Sequence, residues 1–326
     1  MAAQPVAKIA LEEHCMTPGL ADYWLPTMTD VPPAAVERIH GRLKDFHGER
    51  IEIMDRNGIA YAILAVAGPG VQAERDPATA VRKARESNDQ LAQEVARNSK
   101  RLGAFAHLAV QDARAAADEL ERCVKQLGFH GAMINGHTRG LYLDDASVYP
   151  LWERAEALGA PIYIHPTDPV QSATSLVGTH GLKRATWEWG FETGSHALRL
   201  VFGGTFDRFP RAKLILGHLG EMLPFLLWRF DSRAGPHFYN VPLKRKPSEY
   251  IRENIWVTLS GMYSAEPLAC TLSALGRDRV MFSADYPFEL PDEPGSFMDD
   301  TPLADDLRRD LAFANAARLL ALDVGR

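Results

Sequence analysis

Glu12, His14, His165, His218 and Asp285 are side chains that bind divalent cations or move protons, and each closes a short apolar run. Glu12 and His14 stand two residues apart. On a strand such residues share a face, while Glu13 between them points the other way. In Pro161-Ile-Tyr-Ile-His165 the same alternation sends Tyr163 and His165 to one side and Ile162 and Ile164 to the other. A histidine ending a buried strand must be bonded, either to a metal or to a neighbouring group. His218 follows Lys213-Leu-Ile-Leu-Gly217. Glu221, read as early in a helix, either orients that imidazole as a proton relay or caps the helix. Asp285 ends Val280-Met-Phe-Ser-Ala284, with Met281 and Ser283 on its face. Singly, each of these reads equally as a solvated or internally bonded polar residue. Four strand ends carrying them point to one shared cation and a metal-dependent enzyme. Two carboxylates and two imidazoles form a mixed O/N set that suits Zn2+ or Mn2+. Beside such an ion Asp285 can act as ligand, proton donor or base.

The elements that must bring these residues together recur regularly. Strand-like runs lie at Lys8–His14, Tyr61–Val66, Leu102–Leu108, Gly131–Asn135, Pro161–His165, Lys213–His218, Ile255–Ser260 and Val280–Asp285. Between them, Val71–Ala96, Ala113–Leu127, Ser147–Leu158, Ser195–Phe206 and Glu266–Leu275 are long enough for crossover helices. Gly128, Gly159 and Gly276 follow leucines at helix-ending positions, where glycine takes the left-handed conformation. Thr301-Pro302 reads as an N-cap and first helical residue, followed by an apolar stripe of Leu303, Leu307 and Leu311. Eight alternations predict the α/β class and a (β/α)8 TIM-type barrel. The open doubly wound sheet is the other α/β arrangement, but no Gly-x-Gly-x-x-Gly follows the first strand. Two insertions break the pattern, Thr17–His47 after strand 1 and Thr167–Trp189 after strand 5. Their aromatics, Tyr23, Trp24, Trp187 and Trp189, either wall a ring pocket or meet a second subunit. The apolar Leu223–Arg229 segment is a further candidate interface.

A chain of 326 residues with 46% hydrophobic content can bury a large core, and a barrel of this length forms one domain over residues 1–326. Net charge is −6 with no long Lys/Arg run, which gives no electrostatic case for nucleic acid. Apolar stretches fall short of the ~20 residues of a membrane helix. Met1–Ala7 has neither a basic nor an apolar leader region. Three cysteines, Cys15, Cys123 and Cys270, lack paired spacing. The expected location is the cytoplasm.

The strand-one Glu-x-His, the strand-five His, Leu216-Gly-His-Leu-Gly-Glu221 and Phe282–Glu289 resemble the amidohydrolase superfamily. More narrowly, these motifs with Ala10-Leu-Glu-Glu-His14, Gly131-Ala-Met-Ile-Asn135 and Phe206-Asp-Arg-Phe-Pro210 are similar to its non-oxidative aromatic acid decarboxylases. That branch is typified by the γ-resorcylate, 2,3-dihydroxybenzoate and 5-carboxyvanillate enzymes. The resemblance covers nearly the whole chain. It implies Glu12, His14, His165 and Asp285 as ligands of one Zn2+ or Mn2+ per subunit, with no organic cofactor. It places His218 and Glu221 beside the substrate. Arg50 matches an arginine of the branch that holds the substrate's anion, although the residue alone reads equally as a solvated helix charge. Asn135 stands where dinuclear relatives carry a bridging acid, and an amide bridges two metals poorly, so one ion is expected. Cys15 replaces a Phe of many relatives, which leaves the ring pocket open. Homodimers or homotetramers are implied.

The expected reaction is loss of CO2 from a small hydroxylated benzoate, with Asp285 protonating the carboxyl-bearing ring carbon. Tyr23, Trp187, Asn135 and Arg50 are the expected substrate contacts. The same site would alternatively hydrolyse an amide or lactone, the wider superfamily's chemistry. A non-catalytic scaffold would leave the polar strand ends without purpose.

Overall fold

The computed structural model describes residues 6–178 and 181–323. Met1–Pro5 of the segment read for a leader, and Thr179 and His180 of the second insertion, lie outside the described residues. Eight parallel strands follow the expected order: β1 (Lys8–Cys15), β2 (Ile59–Val66), β3, β4 (Ala132–Asn135), β5 (Ile162–His165), β6 (Leu214–Leu216), β7 (Ile255–Thr258) and β8 (Val280–Met281). β3 is split into Leu102–Ala104, paired with β2, and Ala106–His107, paired with β4. Phe105 joins the halves, and its N–H donates to the Leu64 carbonyl at 2.9 Å.

The last strand returns to the first. Glu13 bridges Tyr286 in parallel, the His14 N–H donates to the Tyr286 carbonyl at 2.7 Å, and Ser283 Oγ receives the Glu12 N–H at 2.6 Å. Glu13, turned outward as its parity requires, accepts the Ala284 N–H at 2.9 Å and bonds Ser283 Oγ. Its carboxylate therefore seals the seam of the barrel.

Alternation sorts the core into two layers. Ile9, Leu11, Ile63, Phe105, Met133, Tyr163, Ile215 and Met281 fill the barrel, whose floor is closed by Ala316, Leu319 and Leu320. Ala10, Leu64, Ile134, Ile162, Ile164, Leu214, Leu216, Val257 and Val280 face the surrounding helices. Each fully buried side chain of this size contributes about 1.5–3 kcal/mol, so a one-residue slip of any strand would invert both layers.

Helices occupy the predicted intervals, with shifted ends. Gly128, Gly159 and Gly276 all have positive φ. The helix expected at Ser195–Phe206 begins earlier, over Glu188–Phe202, with Thr205–Arg208 a separate turn. Thr301 does not start a helix. It follows the end of Glu293–Asp300, its hydroxyl donates back to the Phe297 carbonyl, and the next helix begins at Asp305. The first insertion carries helices Ala21–Trp24 and Pro33–Lys44, which bury Leu20, Trp24 and Leu43 against Val66 and Val71. Among the described residues the second carries short turns at Thr174–Leu176 and Arg184–Thr186 and runs into the helix that begins at Glu188.

Candidate metal centre and active site

Glu12, His14, His165 and Asp285 each offer a ligand atom, and these four atoms lie within 4.8 Å of one another in a buried cluster. His14 Nε2 stands 3.2 Å from Asp285 Oδ1, and His165 Nε2 stands 3.5 Å from Glu12 Oε1. The far sides of His165 and Glu12 are already bonded. His165 Nδ1–H donates to the Pro166 carbonyl at 2.8 Å, which leaves Nε2 bare. Glu12 Oε2 receives the Tyr163 and Ser260 hydroxyls, and Thr258 Oγ1 lies 2.8 Å from both of those hydroxyls. Glu12 Oε1, both His14 nitrogens and Asp285 Oδ1 have no hydrogen-bond partner among the described residues. Buried polar atoms are rarely left so.

The electrostatics agree with a cation. Burial, together with Asp285, pushes the Glu12 carboxyl above its usual range. Burial acts in the same direction on Asp285, but the His14 and His218 imidazoles outweigh it and hold that carboxyl well below the ordinary value. Burial and the neighbouring His14 keep His165 neutral. Two carboxylate oxygens and two imidazole nitrogens converging in a buried cluster fit a divalent ion.

His218 Nδ1 lies 2.6 Å from Glu221 Oε1, and His218 Nε2 lies 3.8 Å from Asp285 Oδ2. Burial works against the imidazolium, but Glu221 and Glu12 raise it well above an ordinary histidine. Glu221 is not in the first turn of a helix, contrary to expectation. His218, Leu219, Gly220, Glu221 and Met222 all have positive φ, and the right-handed helix begins at Leu223. Four non-glycine residues held there are strained, a state found where surrounding packing serves a site. Part of that packing is a bare helix face: a β-carbon at Gly194 would come 3.0 Å from the Glu221 carbonyl oxygen.

The expected substrate contacts fare unevenly. Asn135 ends β4 in register with His165, fully buried, with Oδ1 unpartnered. Arg50 is buried beside Glu13, on the outward side of β1. It donates to the main-chain carbonyls of His14 at 2.6 Å and Asp45 at 2.8 Å and stacks on Tyr286. Its guanidinium braces the first ligand pair from behind instead of facing the mouth. Tyr23 packs on the first insertion's own core and donates its hydroxyl to Glu74 at 2.5 Å. Trp187 is 50% exposed, whereas Trp189 meets the His165 ring at 6.4 Å and donates to Asp168. Cys15 shares the outward parity of Glu13 and packs in the helix-facing layer, so it does not shape the pocket.

Sequence reasoning missed the Thr258 and Ser260 hydroxyls, Phe288, whose ring edges His14 at 5.2 Å, and Gly217. A β-carbon at Gly217 would stand 2.8 Å from Glu12 Oε2. The inward parity of Thr258 and Ser260 was available, and Gly217 and Phe288 lie within the Leu216–Glu221 and Phe282–Glu289 motifs without their roles being read from them.

A closed barrel with two carboxylates and two histidines gathered at the C-terminal ends of its strands defines a metal-dependent barrel enzyme. The family model described as Amidohydrolase matches residues 22–322, and the chain belongs to that family. The γ-resorcylate decarboxylase of Polaromonas sp. (strain JS666) is 39% identical over 328 residues, 97% of this chain and 99% of that protein. A solved dihydroxybenzoic acid decarboxylase from the same organism, with bound manganese and the inhibitor 2-nitroresorcinol, superposes with a TM-score of 0.91. It is 39% identical and covers 98% of each chain. The 5-carboxyvanillate decarboxylase of Sphingomonas paucimobilis has a TM-score of 0.90 and 38% identity, covering 97% of this chain and 99% of its own.

Proposed function

We infer that this protein is a metal-dependent, non-oxidative decarboxylase of a hydroxylated benzoate. The observation that carries the reading is the buried set Glu12, His14, His165 and Asp285 with its bare ligand atoms, in a chain matched end to end by decarboxylases of such acids. Those four residues would hold one divalent ion. Manganese, present in the Polaromonas relative, is preferred over zinc.

Direct expulsion of CO2 would leave an aryl carbanion too unstable to form. When bound, a divalent ion supplies the positive charge that gathers the carboxylate with its ortho hydroxyl and makes that hydroxyl more acidic. The proton rests on the His218 imidazolium, passes to Asp285 Oδ2 and is delivered by Asp285 to the ring carbon bearing the carboxylate. The carbon becomes tetrahedral, the bond to CO2 breaks, and its electron pair returns to the ring. One proton replaces one carboxyl group, so no oxidant enters. His218 Nε2 faces Asp285 Oδ2 for that transfer, and Glu221 fixes the imidazole's orientation. Asn135 Oδ1 is available to a substrate hydroxyl, and Trp189 and Phe288 flank the ring.

The working unit is one barrel domain in a homodimer or homotetramer. Phe225 and Trp228, 80% and 75% exposed on helix Leu223–Ala234, supply the apolar face for it. No helix among the described residues is long and apolar enough to cross a membrane, and a reducing cytoplasm suits the free Cys15, Cys123 and Cys270.

The test is CO2 release from salicylate-type acids by manganese-loaded, zinc-loaded and chelated protein, beside a panel of esters, amides and lactones. The expected result is metal-dependent CO2 release with the phenol as product. Hydrolysis of the panel without CO2 from any acid would overturn the reading.

A further inference from the structure

Glu289 takes no part in the mechanism above, yet its side chain reaches the site. It lies four residues beyond Asp285, and its N–H donates to the Asp285 carbonyl at 3.4 Å. From there the carboxylate extends toward Gly261, just past the end of β7. A β-carbon at Gly261 would stand 3.4 Å from Glu289 Oε1, 3.0 Å from His218 Cδ2 and 3.6 Å from His218 Nε2. Acid and imidazole therefore flank one small gap, and that gap exists because residue 261 has no side chain.

Glu289 is half-buried, and its oxygens form no hydrogen bond or ion pair among the described residues. Burial, then Asp285, Glu293 and Glu12, push its carboxyl above the ordinary value, while His218 acts the other way. A carboxyl oxygen accepts hydrogen bonds in either protonation state. An acceptor that loses part of its hydration without gaining a partner is satisfied when a ligand brings a donor. A phenolic hydroxyl is such a donor. A carboxylate in the same place would meet Glu289 as a like charge.

We propose that Glu289 is a specificity-determining residue: in the gap between Gly261 and His218 it accepts a hydrogen bond from a second hydroxyl on the substrate ring and rejects a carboxylate there. This rests on the hydroxybenzoate reading above. The hydroxyl beside the metal set is the first. Glu289 reads whether the ring carries another at one particular position.

The experiment compares kcat/KM for 2,3-, 2,4-, 2,5- and 2,6-dihydroxybenzoate, each divided by that for salicylate, in manganese-loaded wild type, Glu289→Gln and Glu289→Ala. The ratio cancels general damage to the site. Wild type should prefer one isomer by at least about ten-fold, and both variants should cut that preference by about ten-fold or more, mainly through KM. The ring dicarboxylate with its second carboxylate at the preferred position should bind better to Glu289→Gln than to wild type. Calorimetric binding of phenol, catechol, resorcinol and hydroquinone repeats the comparison without turnover. No isomer preference in wild type, or a preference unchanged to within about two-fold in both variants, overturns the proposal. If no acid loses CO2 but the Glu289-dependent preference among phenols holds, the decarboxylase reading fails and the hydroxyl subsite stands. If no phenol binds, the subsite fails as well.

Discussion

Tyr163, Ser260 and the Pro166 carbonyl each bond the rear atom of a ligand and leave the front atom bare. Glu12 and His165 are thus oriented before any ion arrives, which is how outer contacts tune a metal site. Asp285 differs from them. Its Oδ1 belongs to the ligand cluster while Oδ2 faces His218. Replacing it by asparagine removes the proton carrier and keeps an oxygen for the ion. Asp285→Asn should lower kcat by ~10²–10⁴-fold, the usual worth of a placed general acid. Elemental analysis should still find close to one ion per chain, held by Glu12, His14 and His165. Retained turnover would remove Asp285 from the acid role. Lost turnover together with lost metal would reduce it to a ligand.

Strand ends place these residues, and strand ends were the legible part. Period-two alternation gave Glu12 and His14 one face, gave Tyr163 and His165 another, and correctly turned Glu13 outward. It could not say that Glu13 would close the barrel seam, because that partner is Ala284, at the far end of the chain. The turn from His218 to Met222 was illegible for a different reason: its left-handed backbone is imposed on residues with no preference for it. Tyr23 and Trp187 were less legible because loops carry no periodicity, so composition alone cannot tell a pocket wall from a loop packed on itself. Gly217 belongs to this scale too. Its φ of −73° is ordinary, so what demands glycine is close approach to Glu12 and to the Ser260 and Tyr163 hydroxyls that bond it. Gly217→Ala should press on Glu12 Oε2 and weaken metal affinity about 10–100-fold, as loss of an outer contact does. Metal titration of the chelated protein measures this, with activity recovering at saturating ion. Unchanged affinity would mean that the carboxylate yields without cost.

Over the whole molecule, the loops are tied to the barrel by buried neutral histidines that are not part of the metal set. His107 Nε2 accepts the Val71 N–H at 2.9 Å, and His196 Nε2 accepts the Leu143 N–H at 2.9 Å. Neither role was visible in sequence, since each pairs a histidine with a distant main-chain amide. Burial lowers His107 to about 4, and burial with His137 and Arg199 lowers His196 to about 3. A protonated ring cannot accept these bonds. The folded pKa lies below the unfolded value near 6.5, so the unfolded chain binds more protons in between, and stability rises with pH there. The contribution is complete above pH 6.5 and is lost as pH falls through 6.5 toward about 4 and 3. At about 1.4 kcal/mol per unit, each histidine accounts for at most roughly 3–5 kcal/mol across its window. Urea unfolding of chelated protein at pH 7.5 and 5.0 should show wild type losing stability with acid, and His107→Gln and His196→Gln losing less. Both variants should be weaker than wild type at pH 7.5 yet flatter between the two pH values. Chelation keeps acid release of the metal out of the comparison, and carboxyls such as Glu13 contribute equally to all three proteins. Equal slopes in the three would show that these histidines are already protonated, or solvated, in the folded state.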